Sequence, residues 1–320
     1  MRRGRFMKIL VTEPQYLSGK ALGILKGCGS VVAKKMGRGE LQRQILDADA
    51  LMVRIDTTID KKLLQKAGKL RIIGSVTTSL DHIDLDYARR LGVKVVNLNG
   101  AHTVPTAEYA IGMILALCRN VPWAHQSLSR GVWKRYMFIG RELNGKILGI
   151  VGFGKIGKQV ALYARAFGMK VLYYDPYVKS SKLGERASSL EGLLRQSDIV
   201  TVHALLTKET DNMIDYKQIL MMKKDALLLT SAAKGRVVNT TALLRALEGK
   251  RIAGAAIDVF PSEPLENPRD PLVAYARKNR NLLITPHIGG STHEAVERAS
   301  VEIATAIAQE LKSGKKGQLD

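Results

Sequence analysis

The run Lys146-Ile147-Leu148-Gly149-Ile150-Val151, followed at once by Gly152-Phe153-Gly154-Lys155-Ile156-Gly157, constrains the fold of this chain more than any other stretch. An apolar segment of strand length that breaks into G-x-G-x-x-G and then enters a helical pattern reads as a strand, a tight turn and a helix opening over that turn. Glycine is common, so the pattern alone is weak, and its context carries the argument. A second apolar run, Lys170–Tyr174, returns after the helix and ends on Asp175, the acidic residue expected ~20 positions on. Gly152 turns the chain, Gly154 lets backbone amides approach an anion, and Gly157 lets the helix sit close to the strand. Residues Gly152, Phe153, Gly154, Lys155, Ile156 and Gly157 therefore form a candidate loop for a dinucleotide pyrophosphate at a helix N-terminus. Asp175 is placed to accept hydrogen bonds from ribose hydroxyls and to repel a 2′-phosphate, which favours NAD over NADP. Lys179 and Lys182 lie just downstream and could offset that repulsion.

Strand-like and helical segments alternate along the rest of the chain. Met7–Thr12, Ala50–Val53, Leu70–Ile73 and Val93–Val96 read as strands, separated by helical stretches such as Lys61–Ala67 and Leu85–Leu91. Thr103–Arg119 is a long apolar helix with Pro105 tolerated in its first turn. After the glycine loop, further strands are expected at Ile199–Val202, Ala226–Leu229, Ile252–Ile257 and Leu282–Ile284. Thr292–Lys312 repeats Ala295, Ala299, Ile303, Ile307 and Leu311 at helical spacing and is long enough to reach back across the molecule. The fold class is α/β, with parallel sheets and helical crossovers. A length of 320 residues exceeds a single core, so two domains are expected.

Composition narrows the classes further. An apolar fraction of 46% and a charged fraction of 25% are ordinary for a globular protein. The longest apolar stretches, such as Met113–Cys118, fall well short of the ~18 residues that cross a bilayer. The N-terminus is basic and then apolar only from Ile9 to Val11, with no small-residue cleavage site, so secretion is not expected. Cys28 and Cys118 are far apart and offer neither a disulfide framework nor a metal-ligand spacing, which fits a reducing cytoplasm and no metal. The formal net charge of +21 raises nucleic acid as a partner. Its basic residues, however, are scattered as doublets such as Lys61-Lys62 and Lys223-Lys224, without a long basic run. The expectation is instead a field that steers small anionic substrates.

A chain that binds a nicotinamide cofactor for hydride transfer needs a group to exchange a proton with the substrate oxygen, and histidine is the usual choice. Of six histidines, His287 stands in TPHIGGST just after the last strand candidate, where open parallel sheets place their ligands. Glu263, in DVFPSEP, follows the preceding strand and is placed to hold a proton on that histidine.

With these residues in view, the chain resembles the NAD-dependent D-2-hydroxyacid dehydrogenase family, and within it the short-form D-3-phosphoglycerate dehydrogenase branch. GFGKIGKQVA, GAAIDVFPSEPLEN and LLITPHIGGST carry the resemblance in order and at family spacing, with weaker support from SLDHIDLDYARRLGVKVVN and TAEYAIGMILALCRN. It implies two Rossmann-like doubly wound parallel-sheet domains. An NAD-binding domain, 100–287, is inserted into a discontinuous substrate-binding domain made of 1–99 plus 288–320, and subunits pair as a homodimer through the cofactor domain. It also implies catalytic roles for His287, Glu263 and Lys234. Cofactor contacts would come from His203, Ser231, Ala232, Asp258 and Gly289 beside the glycine loop and Asp175. Asp258 would face the nicotinamide carboxamide region, and His203 would line the cleft without taking the proton. Arg54, Val76, Thr77, Thr78 and Ser79 would meet the substrate.

Three positions depart from the family pattern: Lys234 stands where the family has arginine, Leu205 where it has proline, and Asn239 where it has aspartate. Arginine offers a planar fork that binds two oxygens at once, whereas lysine is a compact ammonium, so the charge survives and the bidentate geometry does not. The resemblance ranks 3-phosphoglycerate first as substrate, with glyoxylate, hydroxypyruvate or another small 2-keto acid as the alternative. Asp56 beside Arg54 counts against a phosphate. A catalytically weakened, NAD(H)-responsive binding protein, like the family's corepressor branch, is the reading from outside enzymology. With the chain ending at Asp320, feedback through an added regulatory domain is not expected.

Overall fold

The structure, a computed structural model, describes residues 7–98, 100–231, 235–263, 265 and 269–313. Ala232 and Lys234 lie outside the described residues. The chain divides into two compact units, Met1–His102 with Ser291–Asp320, and Thr103–Gly290. The changeovers fall a few residues past the 99/100 and 287/288 cuts expected from the sequence.

The first unit carries five parallel strands: β1 (Met7–Val11), β2 (Gly29–Ala33), β3 (Ala50–Val53), β4 (Ile72–Ser75) and β5 (Lys94–Asn97). Their order is β2-β1-β3-β4-β5. The central strands β3 and β4 are buried along their whole length, whereas β2 and β5 at the edges are partly exposed. This is why β3 reads as an unbroken apolar run rather than an alternating one. The long helix His293–Lys312 packs its Ile303 and Ile307 directly on Gly74 of β4, where any added Cβ would collide with Ile303. Arg71 donates to the carbonyls of Glu310 (2.6 Å) and Leu311 (3.2 Å), satisfying the last turn of that helix.

The second unit carries seven parallel strands: β6 (Ile147–Val151), β7 (Lys170–Tyr174), β8 (Glu185–Arg186), β9 (Ile199–Val202), β10 (Leu227–Thr230), β11 (Gly254–Ile257) and β12 (Leu282–Ile284). Their order is β12-β11-β10-β9-β6-β7-β8. The helices Thr103–Cys118 and Lys155–Ala166 meet through small residues, Ala107 and Ala110 from one and Ala161 and Ala164 from the other, all fully buried in one core cluster. Small side chains let the two helix backbones approach.

The α/β class and the two parallel sheets match the sequence expectation. Two strands are additional to the expectation: β2, a partly exposed five-residue edge, and β8, a two-residue edge. β4 lies two residues later than Leu70–Ile73, β5 runs Lys94–Asn97, and β11 begins at Gly254 rather than Ile252. Among the described residues no helix is long and apolar enough to cross a membrane.

Candidate active site

In both sheets the strand order reverses at one point, and ligands of open α/β sheets bind beyond the carboxyl ends of the strands at that reversal. In the second unit it falls between β6 and β9. The ladder registers align Tyr174, Val151, Val202, Thr230, Ile257 and Ile284 across the sheet. The residues immediately after them therefore form one rim: Asp175, Gly152, His203, Ser231, Asp258 and Thr285. Sequence-distant residues meet here because each is the first position past its strand.

The glycine loop is built as its pattern requires. Gly152 has φ +87°, and a Cβ there would collide with the backbone of Ala204. A Cβ at Gly157 would collide with the Gly152 carbonyl as the helix crosses the strand. Gly154 is different: its φ is −74° and a Cβ would meet nothing within 4 Å. Neither backbone conformation nor packing asks for glycine at 154, and the side of this residue is open. It is also the N-cap of the helix Lys155–Ala166 and offers no side chain to the first-turn amides. An uncapped helix start beside vacant space fits an anionic group such as a dinucleotide pyrophosphate. Phe153 differs from expectation: its ring is fully buried and stacked on Tyr173 at 3.9 Å, so it anchors the loop from the core.

Asp175 is nearly buried, and its carboxylate accepts from the amides of Phe153 (2.7 Å), Tyr177 (2.8 Å) and Val178 (3.1 Å). It thus ties the glycine loop to the turn that follows β7. A carboxylate offers about four acceptor sites, which leaves room for one more donor.

His203 is buried, with Nε2 hydrogen-bonded to Thr201 Oγ1 at 2.9 Å and Nδ1 without a partner. Burial pushes its pKa down to about 4, so the ring is neutral near pH 7. A neutral, enclosed imidazole is a poorer proton donor than an exposed, carboxylate-paired one. The buried hydroxyls of Thr230 and Ser231 on the neighbouring strand also lack partners.

His287 does carry the arrangement expected of an acid/base. Its Nδ1 lies 2.6 Å from Glu263 Oε2, and Glu263 is itself fixed by Oε1 accepting from the Phe260 amide at 2.8 Å. The His287 side chain is 46% exposed and that of Glu263 23%, so the imidazole is reachable while its partner is sheltered. The backbone of His287 is left-handed, φ +54°, a conformation uncommon outside glycine, in which asparagine, aspartate and histidine are the more frequent exceptions. Asp258 holds it there. The Asp258 carbonyl accepts from the His287 amide (2.8 Å), and its carboxylate accepts from the amides of Ile288 (3.0 Å) and Gly289 (2.8 Å). Thr285 Oγ1 also donates to Asp258, at 2.6 Å, and Tyr109 is hydrogen-bonded to Thr285. Asp258 was expected against the nicotinamide; in the structure it is fully buried and both oxygens are engaged by the protein. Tyr109 and Thr285 were not singled out from the sequence. The available clue was the position of Thr285, one past β12 and level with Asp258.

In the first unit the strand order reverses between β1 and β3. Arg54 stands at that point, its guanidinium stacked on the Tyr16 ring at 3.6 Å. Glu13, 6% exposed, accepts from Thr57. Burial, more than any other influence, lowers the Arg54 pKa and raises that of Glu13. Val76 is buried and follows β4 beside Arg54, its amide bonded to Val53 at 2.8 Å. Thr77 Oγ1 closes the next turn on the Ser79 carbonyl at 2.6 Å, and the Thr78 carbonyl accepts from Asn97 at 2.7 Å. The expected substrate residues Arg54, Val76, Thr77, Thr78 and Ser79 are thus adjacent in this unit.

Of the departures, Asn239 is explained: its side chain accepts from the Ala242 amide at 3.1 Å and caps the helix Thr240–Glu248, as aspartate would. Leu205 is 76% exposed, and nothing in the structure explains it.

Comparison with known proteins identifies this arrangement. The family described as D-isomer specific 2-hydroxyacid dehydrogenase, NAD binding domain, matches residues 111–289. D-3-phosphoglycerate dehydrogenase of Methanocaldococcus jannaschii is 40% identical over 319 residues, covering 98% of this chain and 58% of that protein. Glyoxylate reductase of Thermococcus litoralis is 38% identical over 292 residues, covering 88% of this chain and 85% of that protein. A crystal structure of D-lactate dehydrogenase from Aquifex aeolicus, complexed with NAD and lactic acid, has a TM-score of 0.83 at 30% identity, covering 96% of each chain. The protein belongs to the D-isomer specific 2-hydroxyacid dehydrogenase family, and its second unit contains the NAD-binding domain. The chain spans 58% of the length of the phosphoglycerate dehydrogenase relative.

Proposed function

We propose that the protein is an NAD-dependent D-2-hydroxyacid dehydrogenase, interconverting a small D-2-hydroxy acid and its 2-keto acid. The His287–Glu263 hydrogen bond of 2.6 Å on the rim of the NAD-binding sheet carries this reading. NAD supplies the hydride carrier, held by the loop Gly152–Gly157 and Asp175, with His203, Ser231, Ala232, Asp258 and Gly289 around it. With Nδ1 directed at Glu263, His287 exchanges its proton with the substrate oxygen through Nε2, and Glu263 stabilises the imidazolium form. A positioned acid of this kind contributes ~10²–10⁴ in rate. Lys234 stabilises charge developing on the carbonyl oxygen, without the two-pronged grip of an arginine. In the first unit, Arg54 and Val76, Thr77, Thr78 and Ser79 form the substrate-binding surface.

3-Phosphoglycerate ranks first as substrate, supported by Arg54 and by the names of the relatives. Glyoxylate or hydroxypyruvate is the alternative, supported by the glyoxylate reductase relative and by Glu13 and Asp56, whose charges already act on Arg54. A homodimer through the second unit is supported by Trp133, Tyr136, Met137 and Ile139, four large side chains between 55% and 79% exposed on one short segment. The free thiols of Cys28 and Cys118 support a cytoplasmic location.

The test is NADH oxidation with glyoxylate, hydroxypyruvate and 3-phosphohydroxypyruvate, for the wild type and Lys234→Arg. Turnover of at least one keto acid is expected, with kcat/KM rising about ten-fold in the variant as a bidentate contact forms. If neither protein turns over any keto acid while NADH still binds, the dehydrogenase reading fails in favour of an NAD(H)-responsive binding protein.

A further inference from the structure

The hydrogen bonds around Asp258 have a fixed direction. A carboxylate that accepts from the amides of Ile288 and Gly289 acts as an acceptor, so the Thr285 hydroxyl, 2.6 Å away, must spend its single proton on it. The lone pairs of Thr285 are then the only means by which that oxygen can meet Tyr109, and the phenol must be the donor. The result is a cluster that converges on one carboxylate: Tyr109 meets Thr285 and also Asp258 itself, Thr285 donates to Asp258, and Asp258 grips the two amides that follow His287.

Tyr109 also acts by shape. Its ring stands against Gly289, where an added Cβ would lie 3.3 Å from Tyr109 Cδ1 and 3.0 Å from Asp258 Oδ2. The turn is therefore confined by the ring on one side and the carboxylate on the other. Among the described residues, His287 is one of four non-glycine residues with positive φ; two of the others are Asn120 and Asn212, which adopt it readily, and the third is Lys250. A histidine held in this region costs of order 1 kcal/mol or more and persists only where the surroundings impose it. Burial above all, and then the charge and hydrogen bond of Asp258, raise the Tyr109 pKa against the lowering effect of the Thr285 hydrogen bond, so the phenol keeps its proton.

We infer that Tyr109 is a positioning residue for the proton-transfer step, acting through Thr285 and Asp258 to hold the left-handed turn that aims His287. The inference rests on the assignment of His287 as the acid/base, and the experiment separates the two. Tyr109→Phe removes only the hydroxyl, Thr285→Val removes the donor to Asp258, and Thr285→Ser keeps a donor. Each is compared with the wild type by amide hydrogen exchange at Ile288 and Gly289 and by steady-state kinetics. The expected result for Tyr109→Phe is exchange about ten-fold faster at both amides, with kcat lowered about ten-fold and KM for NADH and keto acid unchanged. Thr285→Val should do the same or more, and Thr285→Ser should recover most of the loss. Exchange at wild-type rates, or faster exchange with kcat unaltered in an active enzyme, overturns the inference. So does a change confined to KM, which would assign Tyr109 to binding. An inactive wild type would sink the acid/base reading, and the positioning role for catalysis with it, whereas the exchange rates would still show whether the chain holds the turn.

Discussion

In the first unit the chain leaves β1 through Thr12, Glu13 and Pro14, makes a short 3-10 turn at Pro14–Tyr16, and enters a helix whose N-cap Ser18 accepts from the Ala21 amide at 3.1 Å. In the second it leaves β6 through Gly152, Phe153 and Gly154 and goes straight into a helix whose N-cap has no side chain to offer. Both exits lie at the reversal of a parallel sheet, where a crevice opens for topological reasons. Pro14 and the Ser18 cap fill and satisfy the first exit, leaving Arg54, stacked on Tyr16, as the group that can receive an anion. The second exit keeps its amides and its space. The sheet thus makes the crevice, and the first few residues after the strand decide whether it cradles a dinucleotide or presents a single cation.

The largest effect that could break this contrast is on catalysis. If the second rim carries the chemistry, His287→Asn should lower kcat by ~10²–10⁴ while NADH affinity stays within a few-fold. Asparagine tolerates the left-handed backbone at this position, so the turn is preserved and the loss reports the missing imidazole. A variant retaining more than a tenth of wild-type kcat would move the proton donor elsewhere.

Next in size is a response to acid that should differ in sign between the rims. His203 is held neutral, its pKa lowered by burial to about 4 from the usual 6.5. The unfolded chain takes up that proton first, so this contribution is complete above pH 6.5, is lost as pH falls toward 4, and amounts to ~3 kcal/mol. Glu13 in the first unit has a raised pKa, chiefly through burial. Its contribution is present below the ordinary carboxylate range and is lost as pH rises through the folded value. Both tryptophans, Trp123 and Trp133, lie in the second unit, so their fluorescence reports it selectively. Urea titrations at pH 7 and pH 4 should show a smaller acid loss by fluorescence for His203→Gln than for the wild type. Equal losses would remove His203 as the cause.

What could be read from the sequence divides along the same line. The glycine loop was legible because its requirements are local: a positive φ at Gly152 and contact between Gly157 and Gly152 lie within one turn. The His287–Glu263 pair was legible because both residues follow strands. By contrast, Gly74 and Ser75 looked like the end of a strand, yet β4 continues through them because the returning helix needs a glycine to pack on. β2 was hidden by its partial exposure, with no continuous buried run to mark it. The Tyr109–Thr285–Asp258 chain was hidden by distance, since Tyr109 is 176 residues from Thr285 and sits in a helix whose apolar pattern accounts for it as packing. Local geometry leaves a sequence pattern, while a hydrogen-bond chain between distant elements leaves none until the register is known.

The smallest effects sharpen the contrast most, because they compare glycines with the same free space. Gly154 and Gly23 both have room for a Cβ, with nothing within 4 Å, and neither has a positive φ. Gly23 lies inside the helix Gly19–Lys26 of the first unit and is exposed. Gly23→Ala should therefore stabilise that unit by ~0.5–1 kcal/mol through helix propensity, seen as slower hydrogen exchange in the helix, with NADH affinity unchanged. If the pyrophosphate sits on the open side of the loop as proposed, Gly154→Ala should fold with an unchanged melting temperature yet bind NADH about ten-fold more weakly, because the added methyl enters that space. Titration by NADH fluorescence distinguishes the two. Undiminished affinity in Gly154→Ala would mean that the vacant side of the loop is not where the phosphates sit, and the difference between the two exits would reduce to packing.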